Sequence, residues 1–246
     1  FGAAWAFIPA YLQAKRGSHI VITTIMFNFI ASSLMVYLLV DVIRDMKQMG
    51  PHTVALPKEL WLPSFKDLAA FFGIKIRYSP LNASFLLAIA ASFFVWFLVW
   101  KTKWGYEMRA VGHNTQAAIY AGISPYKNII IAMLISGGLA GLLSINEILG
   151  VHHKIVSGFP AGYGFTGIAV ALMGRNHPIG IFPAAFLFGI LYQGGSEVTF
   201  DMPNITRYMF VAVQGVIILF SGALENLFRP QIESFFVKRL NRQVEV

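Results

Sequence analysis

The chain has 246 residues, of which 57% are hydrophobic and 12% are charged, and its formal net charge is +8. Soluble domains carry about 25% charged residues, so this composition excludes an ordinary soluble domain and indicates a membrane protein in contact with lipid. The chain has no cysteine, which excludes disulfides and thiolate metal sites. Its basic residues cluster at the ends of apolar runs rather than along one polar face, which excludes nucleic acid as the expected partner.

Five long apolar runs predict membrane-spanning helices, because about 20 apolar residues are needed to cross about 30 Å of hydrocarbon. These runs are residues 21–40, 81–100, 128–146, 178–195 and 208–224. The third is preceded by Ser124 and Pro125, a pair that is typical of a helix N-cap followed by the first helical position.

Two further apolar segments are shorter. Residues 1–14 are predicted to be the end of an earlier helix, so the domain is expected to be N-terminally incomplete. Residues 162–174 would make a helix of about 20 Å at about 1.5 Å per residue, which is shorter than the bilayer core and indicates a short or broken helix lining a cavity. The predicted fold class is all-α: one transmembrane domain over residues 1–246, with about five to six membrane segments plus a partial N-terminal segment.

The distribution of Lys and Arg predicts the side of the membrane on which each connection lies. With residues 15–16 inside, the inner segments hold 11 of the 19 Lys and Arg. Most of the remainder lie in the 41–80 connection beside four acids, where SFKD at residues 64–67 indicates a capping box and a short interfacial helix. The 101–127 loop is therefore predicted to be cytoplasmic.

The 101–127 loop carries the signals of a short internal helix. Asn114 or Thr115 can cap it, and Gly122 can end it. A helix of two turns is not stable without something to dock on, and the small side chains of Ala117 and Ala118 permit a close contact. Two interpretations remain open: the helix contacts a cytoplasmic partner protein, or the loop packs on the chain's own helices.

Several polar or aromatic residues lie where a solute pathway is expected. Amides in an apolar setting need hydrogen-bond partners, so they either join helices to each other or line a pathway for an uncharged, hydroxyl-rich solute. The short 162–174 segment adds two aromatic residues to this candidate pathway. The candidate pathway residues are Asn28, Asn146, Gln193, Gln214, Tyr163 and Phe165.

Two glycine patterns are interpreted as packing signals. The stretch GYGFTG from residue 162 matches the dinucleotide pattern G-x-G-x-x-G, but it is neither preceded by a strand nor followed by an amphipathic helix. Close helix packing at Gly164 and Gly167 is predicted instead. Gly137 and Gly141 have the spacing of a close-packing helix face for the same reason.

Three stretches resemble one family of transport proteins: TTIMFNFIA from residue 23, MRAVGHNTQAAIYAGIS from residue 108, and GYGFTGIAVALMGRNHPIGIFPAAFLFGILYQGG from residue 162. They resemble the permease subunits of ATP-binding-cassette (ABC) importers for ribose-like sugars, branched-chain amino acids and nucleosides, closest to the nucleoside or simple-sugar branch. The second stretch is similar to the loop through which such permeases couple to their ATPase. The matching positions are Arg109, Gly112, Asn114, Ala117, Ala118, Gly122 and Ile123.

The resemblance implies a multi-pass subunit of the bacterial cytoplasmic (inner) membrane that moves a nucleoside or simple sugar by alternating access. It implies ABC ATPase subunits that bind and hydrolyse ATP, a second permease subunit or copy, and an extracytoplasmic solute-binding protein. The chain itself is then not an enzyme and holds no cofactor.

Two other functions fit the sequence less well. An ion-coupled secondary transporter or channel for a polar solute usually places ionisable groups within its spans, and no predicted span here has a charge at its centre. A membrane-embedded enzyme needs a compact set of catalytic side chains, which the sequence does not show. His152 and His153 have no cysteine or close acid to complete a metal site.

Overall fold

The structure, a computed structural model, describes residues 1–44, 50–66, 81–159, 162–202, 209–217 and 219–220. In these ranges the chain is helical, without β-strands apart from two isolated bridges, which confirms the all-α prediction. It divides into two compact units, Phe1–Ala161 and Gly162–Val246. Four described helices are long and apolar enough to cross a membrane: Ile20–Val42, Ser84–Lys101, Pro125–His152 and Pro178–Phe200.

The first unit begins with three long helices. Helix α1 is Gly2–Arg16 and ends where Gly17 adopts a left-handed conformation with φ of 66°. Helix α2 is Ile20–Tyr37, continued by a π-helical turn, Leu38–Val42. Helix α3 is Ser84–Lys101. The spans predicted at residues 21–40 and 81–100 are confirmed.

The 101–127 loop holds two helices where the sequence predicted one. Helix α4 is Lys103–His113, and helix α5 is Thr115–Tyr120. The sequence missed α4, which starts where Thr102 Oγ1 accepts a hydrogen bond from the Gly105 amide at 3.2 Å. A Cβ at Gly105 would lie 2.6 Å from the Val99 carbonyl carbon, so glycine is what permits the sharp turn from α3 into α4.

Helix α6, Pro125–Ser144, begins at the predicted Ser124–Pro125 pair and continues as a π-helix over Ile145–His152. The close-packing glycine face that the sequence predicted is confirmed, and the structure shows that its partner is α1. A Cβ at Gly137 would lie 2.7 Å from the Gly2 carbonyl oxygen and against the Cβ of Ala6. The two backbones therefore approach each other more closely than larger residues would allow.

The connection before α3 folds onto the end of α6. The Leu62 amide donates to the Leu149 carbonyl at 3.0 Å, and the Leu56 amide donates to the His153 carbonyl at 2.8 Å. The rings of Trp61 and His153 stack with centroids 3.7 Å apart. This part of the predicted external connection is thus fixed to the π-helical segment.

The second unit contains a helical hairpin. Helix α7 is Tyr163–Met173, and helix α8 is Pro178–Asp201. Buried Val170 and Phe188 belong to the small apolar core between them. The prediction of a short helix at residues 162–174 is confirmed, and α8 extends beyond the predicted end at residue 195.

Two sequence predictions fall partly outside the described residues. Residues 209–217 and 219–220 of the predicted span at 208–224 are helical, and the remainder lies outside. The helix expected after the capping box at residues 64–67 also lies largely outside the described ranges.

Candidate functional site

The start of α5 is fixed by a side-chain cap. Asn114 Oδ1 accepts hydrogen bonds from the amides of Gln116 and Ala117, both at 3.0 Å. Asparagine is among the preferred N-cap residues because its oxygen satisfies amides that have no partner within the helix. The sequence offered Asn114 or Thr115 for this position, and the structure places Asn114 there.

The end of α5 is a Schellman motif. The Ile123 amide donates to the Ala118 carbonyl and the Gly122 amide to the Ile119 carbonyl, each at 2.9 Å. This pair of bonds requires a left-handed residue, and Gly122 has φ of 77°. The predicted helix stop at Gly122 is confirmed.

The two alanines of α5 have different surroundings. Ala118 is 3% exposed, since α5 packs on α4 and α6; its methyl group therefore packs within the chain. Ala117 is exposed, as are Ile119 at 50% and Tyr120 at 92%. The surface that α5 exposes to another protein is formed by Ala117, Ile119 and Tyr120. Ala118 lies on the buried side of α5, toward α4 and α6.

A buried side-chain contact joins α4 to the first turn of α6. Asn128, which is 4% exposed, donates through Nδ2 to Glu107 Oε2 at 3.4 Å and to the Ser124 carbonyl at 3.0 Å. Lys103 Nζ lies 3.9 Å from Glu107 Oε1. The loop is thereby tied to a spanning helix by polar contacts.

The other residues that match the coupling loop lie on α4 and just after α5. Arg109 and Gly112 are exposed on α4, and Ile123 is half-buried after the Gly122 turn. A Cβ at Gly112 would meet no described atom within 4 Å. All seven matched positions thus lie on one continuous stretch, from α4 to the residue after the Gly122 turn.

A cavity of about 570 Å³ lies between the start of α3 and the end of α6. Nine of its twelve lining residues are apolar, including Phe85, Ala88 and Leu143. The three polar ones are Asn82, Ser84 and Asn146. An apolar wall with a few convergent polar groups is typical of a small-molecule site.

The three polar residues form one hydrogen-bonded cluster, called here the amide cluster. Asn82 Nδ2 donates to Asn146 Oδ1 at 3.1 Å. The Ser84 hydroxyl lies within hydrogen-bonding distance of Oδ1 of both amides and is 2.6 Å from that of Asn146. A Cβ at Gly150 would lie 3.0 Å from Asn82 Cγ, so glycine at this position of the π-helix makes room for the amide.

The amide cluster adjoins an acidic residue. Asn146 Nδ2 donates to Glu147 Oε1 at 3.2 Å, and Glu147 Oε2 lies 3.6 Å from His152 Nε2. Glu147 is 7% exposed, so its carboxylate is largely shielded from water. Its polar contacts are with the Asn146 amide and the His152 imidazole. In the described ranges, no group of three or more His, Asp and Glu could hold a metal ion.

Two of the candidate pathway residues belong to the first unit and four to the second. Asn146 lies in the amide cluster, whereas Asn28 is exposed on α2. In the second unit the rings of Tyr163 and Tyr192 are 6.4 Å apart, and Gln193 donates to Glu197 at 3.2 Å. The remaining two residues, half-buried Gln214 and exposed Phe165, also belong to the second unit.

The packing predicted at Gly164 and Gly167 is not confirmed. A Cβ built at either position has no described heavy atom within 4 Å. Close glycine contacts of the second unit lie elsewhere: a Cβ at Gly174 would lie 2.7 Å from Ile181 Cα, and a Cβ at Gly195 would lie 2.6 Å from Phe210 Cγ.

Sequence reasoning missed Asn82 and Ser84. The Ser84 amide donates to Asn82 Oδ1 at 3.1 Å, a local bond typical of a helix start. An Asn-x-Ser at the head of an apolar run was therefore a usable signal for the start of α3. Its partner Asn146 lies more than 60 residues away in the chain, and no local pattern connects the two.

The chain is similar to permease proteins of ABC transporters. It is 36% identical over 222 residues to the guanosine ABC transporter permease protein NupP of Bacillus subtilis, covering 89% of this chain and 61% of that one. It is 32% identical over 242 residues to the glucose ABC transporter permease protein TsgB13 of Haloferax volcanii, covering 98% and 63%. The nucleoside ABC transporter permease protein NupB of Lactococcus lactis is 35% identical over 225 residues, covering 87% and 59%.

The chain spans about three fifths of the length of these curated relatives. No solved structure matches it. The family model described as "branched-chain amino acid transport system / permease component" matches residues 1–222, and four described helices are long and apolar enough to span a membrane. The chain is therefore a multi-pass protein of the cytoplasmic membrane, and it belongs to the family of branched-chain amino acid transport system permease components.

Proposed function

We propose that this chain is the permease subunit of an ABC importer that moves a nucleoside or a simple sugar across the bacterial inner membrane. Relatives named for guanosine, nucleosides and glucose support this solute class. The observation that carries the proposal is α5: a capped two-turn helix with an exposed Ala117–Ile119–Tyr120 surface, at the positions that resemble the coupling loop. Helix α5 is too short to be stable on its own. Its exposed apolar side chains favour contact with a partner protein.

The partner of α5 in this proposal is an ABC ATPase subunit. ATP binds and is hydrolysed there, so the permease itself needs no cofactor and performs no covalent chemistry. A second permease subunit or copy completes the pathway, and an extracytoplasmic solute-binding protein delivers the solute.

Helix α6 connects the two candidate regions mechanically. It starts beside the 101–127 loop, where Asn128 meets Glu107 of α4, and its π-helical continuation lies beside the amide cluster. The continuous helix Pro125–His152 has 28 residues, or about 40 Å at about 1.5 Å per residue. A displacement of the coupling loop by the ATPase is therefore passed through the Glu107–Asn128 contact to the far end of α6, as alternating access requires.

One observation favours a second candidate function. The Glu147 carboxylate is buried beside His152, and a protonatable pair near a span is the kind of site that an ion-coupled secondary transporter uses. In the ABC proposal the same pair has a positioning role, since it holds the Asn146 amide.

The experiment is uptake of labelled guanosine, uridine and ribose by cells that carry the complete transporter genes. The ABC proposal expects uptake to stop when the ATPase gene is deleted or its ATP-binding lysine is replaced, and to survive an uncoupler as long as ATP is supplied. Uptake that persists without the ATPase and collapses with the ion gradient would establish the ion-coupled alternative instead.

A further inference from the structure

The cavity between α3 and α6 has the size and composition of a ligand site. Its volume of about 570 Å³ lies within the range of about 300–1,000 Å³ that is common for small-molecule pockets. Its lining residues carry no charge. The matching ligand is therefore neutral and makes contacts that are mostly apolar.

The amide cluster keeps hydrogen-bonding capacity after its internal bonds are formed. Each side-chain amide has two N–H donors. The Asn82 amide donates one of them to Asn146, and the Asn146 amide donates one of its own to Glu147. Among the described residues, the second N–H of each amide makes no further bond. The Ser84 oxygen donates its single proton and can still accept. Two donors and one acceptor at a single point suit one or two hydroxyl groups.

The apolar wall beside the amide cluster suits a flat apolar group. Phe85 is 44% exposed and lines the cavity together with Ala88, Ala91 and Leu142. An aromatic ring beside small aliphatic side chains offers a stacking surface. A free sugar has hydroxyls on all sides, and against this wall most of them would lose their bonds to water without replacement.

We propose that this cavity is a nucleoside-binding site of the permease, in which the amide cluster holds the ribose hydroxyls and the wall around Phe85 receives the base. The proposal rests on the function proposed above and narrows its solute class from nucleosides and sugars to nucleosides. By the Lys and Arg distribution the cavity lies toward the extracytoplasmic end of α3 and α6. The solute then occupies it before crossing.

Cysteine protection tests the proposal, because the chain is free of cysteine. Ala88→Cys places a thiol on the cavity wall, and Ala90→Cys is the matched control, an exposed position on the same helix that does not line the cavity. The complete transporter, in right-side-out membrane vesicles without binding protein, is treated with N-ethylmaleimide. The ligand is guanosine or uridine, whichever the transporter takes up faster, and the comparison ligands are its 2′,3′-dideoxy analogue and ribose.

The nucleoside is expected to slow modification of the Ala88→Cys thiol about tenfold at ten times its Kd and to leave the Ala90→Cys thiol unaffected. The dideoxy analogue and ribose should protect at least several-fold less. Adding Ser84→Ala should remove the difference between the nucleoside and its dideoxy analogue.

The outcomes separate this proposal from the one on which it rests. If ATPase-dependent nucleoside uptake is intact but the nucleoside protects neither thiol, or both equally, the cavity is not the site and the transport function stands. Equal protection by the nucleoside and its dideoxy analogue would refute the role of the amide cluster. If no ATPase-dependent uptake of nucleoside or sugar occurs, the proposed function fails, and the site assignment fails with it.

Discussion

The buried amide of Asn128 donates to the carboxylate of Glu107 across 3.4 Å, and this contact joins the 101–127 loop to helix α6. Asn128 also donates to the Ser124 carbonyl in the turn before α6. Because Asn128 is 4% exposed, water does not replace a lost bond there. The contact is therefore suited to transmit loop movement and is sensitive to changes in charge.

Replacing Asn128 with Asp should uncouple the loop from α6. The substitution sets a second carboxylate beside Glu107 and removes the donor to Ser124, and a buried polar group left unpaired costs about 1–3 kcal/mol. We expect a lower melting temperature of the purified transporter and uptake reduced several-fold. Adding Glu107→Gln, which restores a donor opposite the new carboxylate, should recover part of both. No recovery in the double variant would show that the Glu107 contact is not the cause.

Replacing Gly137 with Ala should destabilise the packing of α1 on α6. The added methyl group would lie 2.7 Å from the Gly2 carbonyl oxygen, and overpacking costs about 1–3 kcal/mol. The next residue gives a matched control, since a Cβ at Gly138 lies 3.9 Å from its nearest neighbour, the Ala3 Cβ. Thermal unfolding in detergent should show a lower melting temperature for Gly137→Ala only. Equal melting temperatures for the two variants would contradict the close helix approach.

The sequence was sufficient for features that depend on local chemistry. Apolar length identified the spans, the Asn114 cap and the Gly122 turn bounded α5, and glycine spacing predicted the face of α6 that meets α1. Helix α4 was missed because its start depends on the buried turn at Gly105. The amide cluster was missed because its members come from distant parts of the chain, and burial of Ala118 depends on how α5 rests on its neighbours. Such features are set by tertiary packing, which sequence periodicity does not encode.

Single cysteines at Lys103 and Lys58 should test the predicted orientation. The Lys103 side chain is 86% exposed and Lys58 is also exposed, so access within the protein does not limit the reaction at either position. Since the Lys and Arg distribution places residue 103 inside and residue 58 outside, an impermeant maleimide added to intact cells should label Lys58→Cys only. Permeabilisation should then expose Lys103→Cys as well. Labelling of Lys103→Cys alone in intact cells would invert the topology.

The difference in burial between neighbouring alanines predicts different effects of the same substitution on α5. Ala117 is exposed, so Ala117→Trp should block contact with the ATPase while the melting temperature of the permease stays unchanged. Ala118 is buried, so Ala118→Trp should overpack the contact of α5 with its neighbours, at a cost of about 1–3 kcal/mol, and lower the melting temperature as well as ATPase binding. Both variants should still insert into the membrane, because the site lies outside the apolar spans. The measurements are co-purification of the ATPase and thermal unfolding of the permease.

Replacing Tyr120 with Asp tests the same surface without adding bulk. Tyr120 is 92% exposed, so a carboxylate there disturbs little within the chain but removes an aromatic contact from a partner. We expect normal amounts of permease in the membrane, loss of ATPase co-purification and loss of uptake. Val54→Asp is the control, because it adds the same charge at an exposed apolar position of the predicted external connection, and it should leave ATPase binding intact. If Tyr120→Asp and Ala117→Trp both retain full ATPase association and full uptake, α5 is only a connector between α4 and α6, and the coupling assignment is wrong.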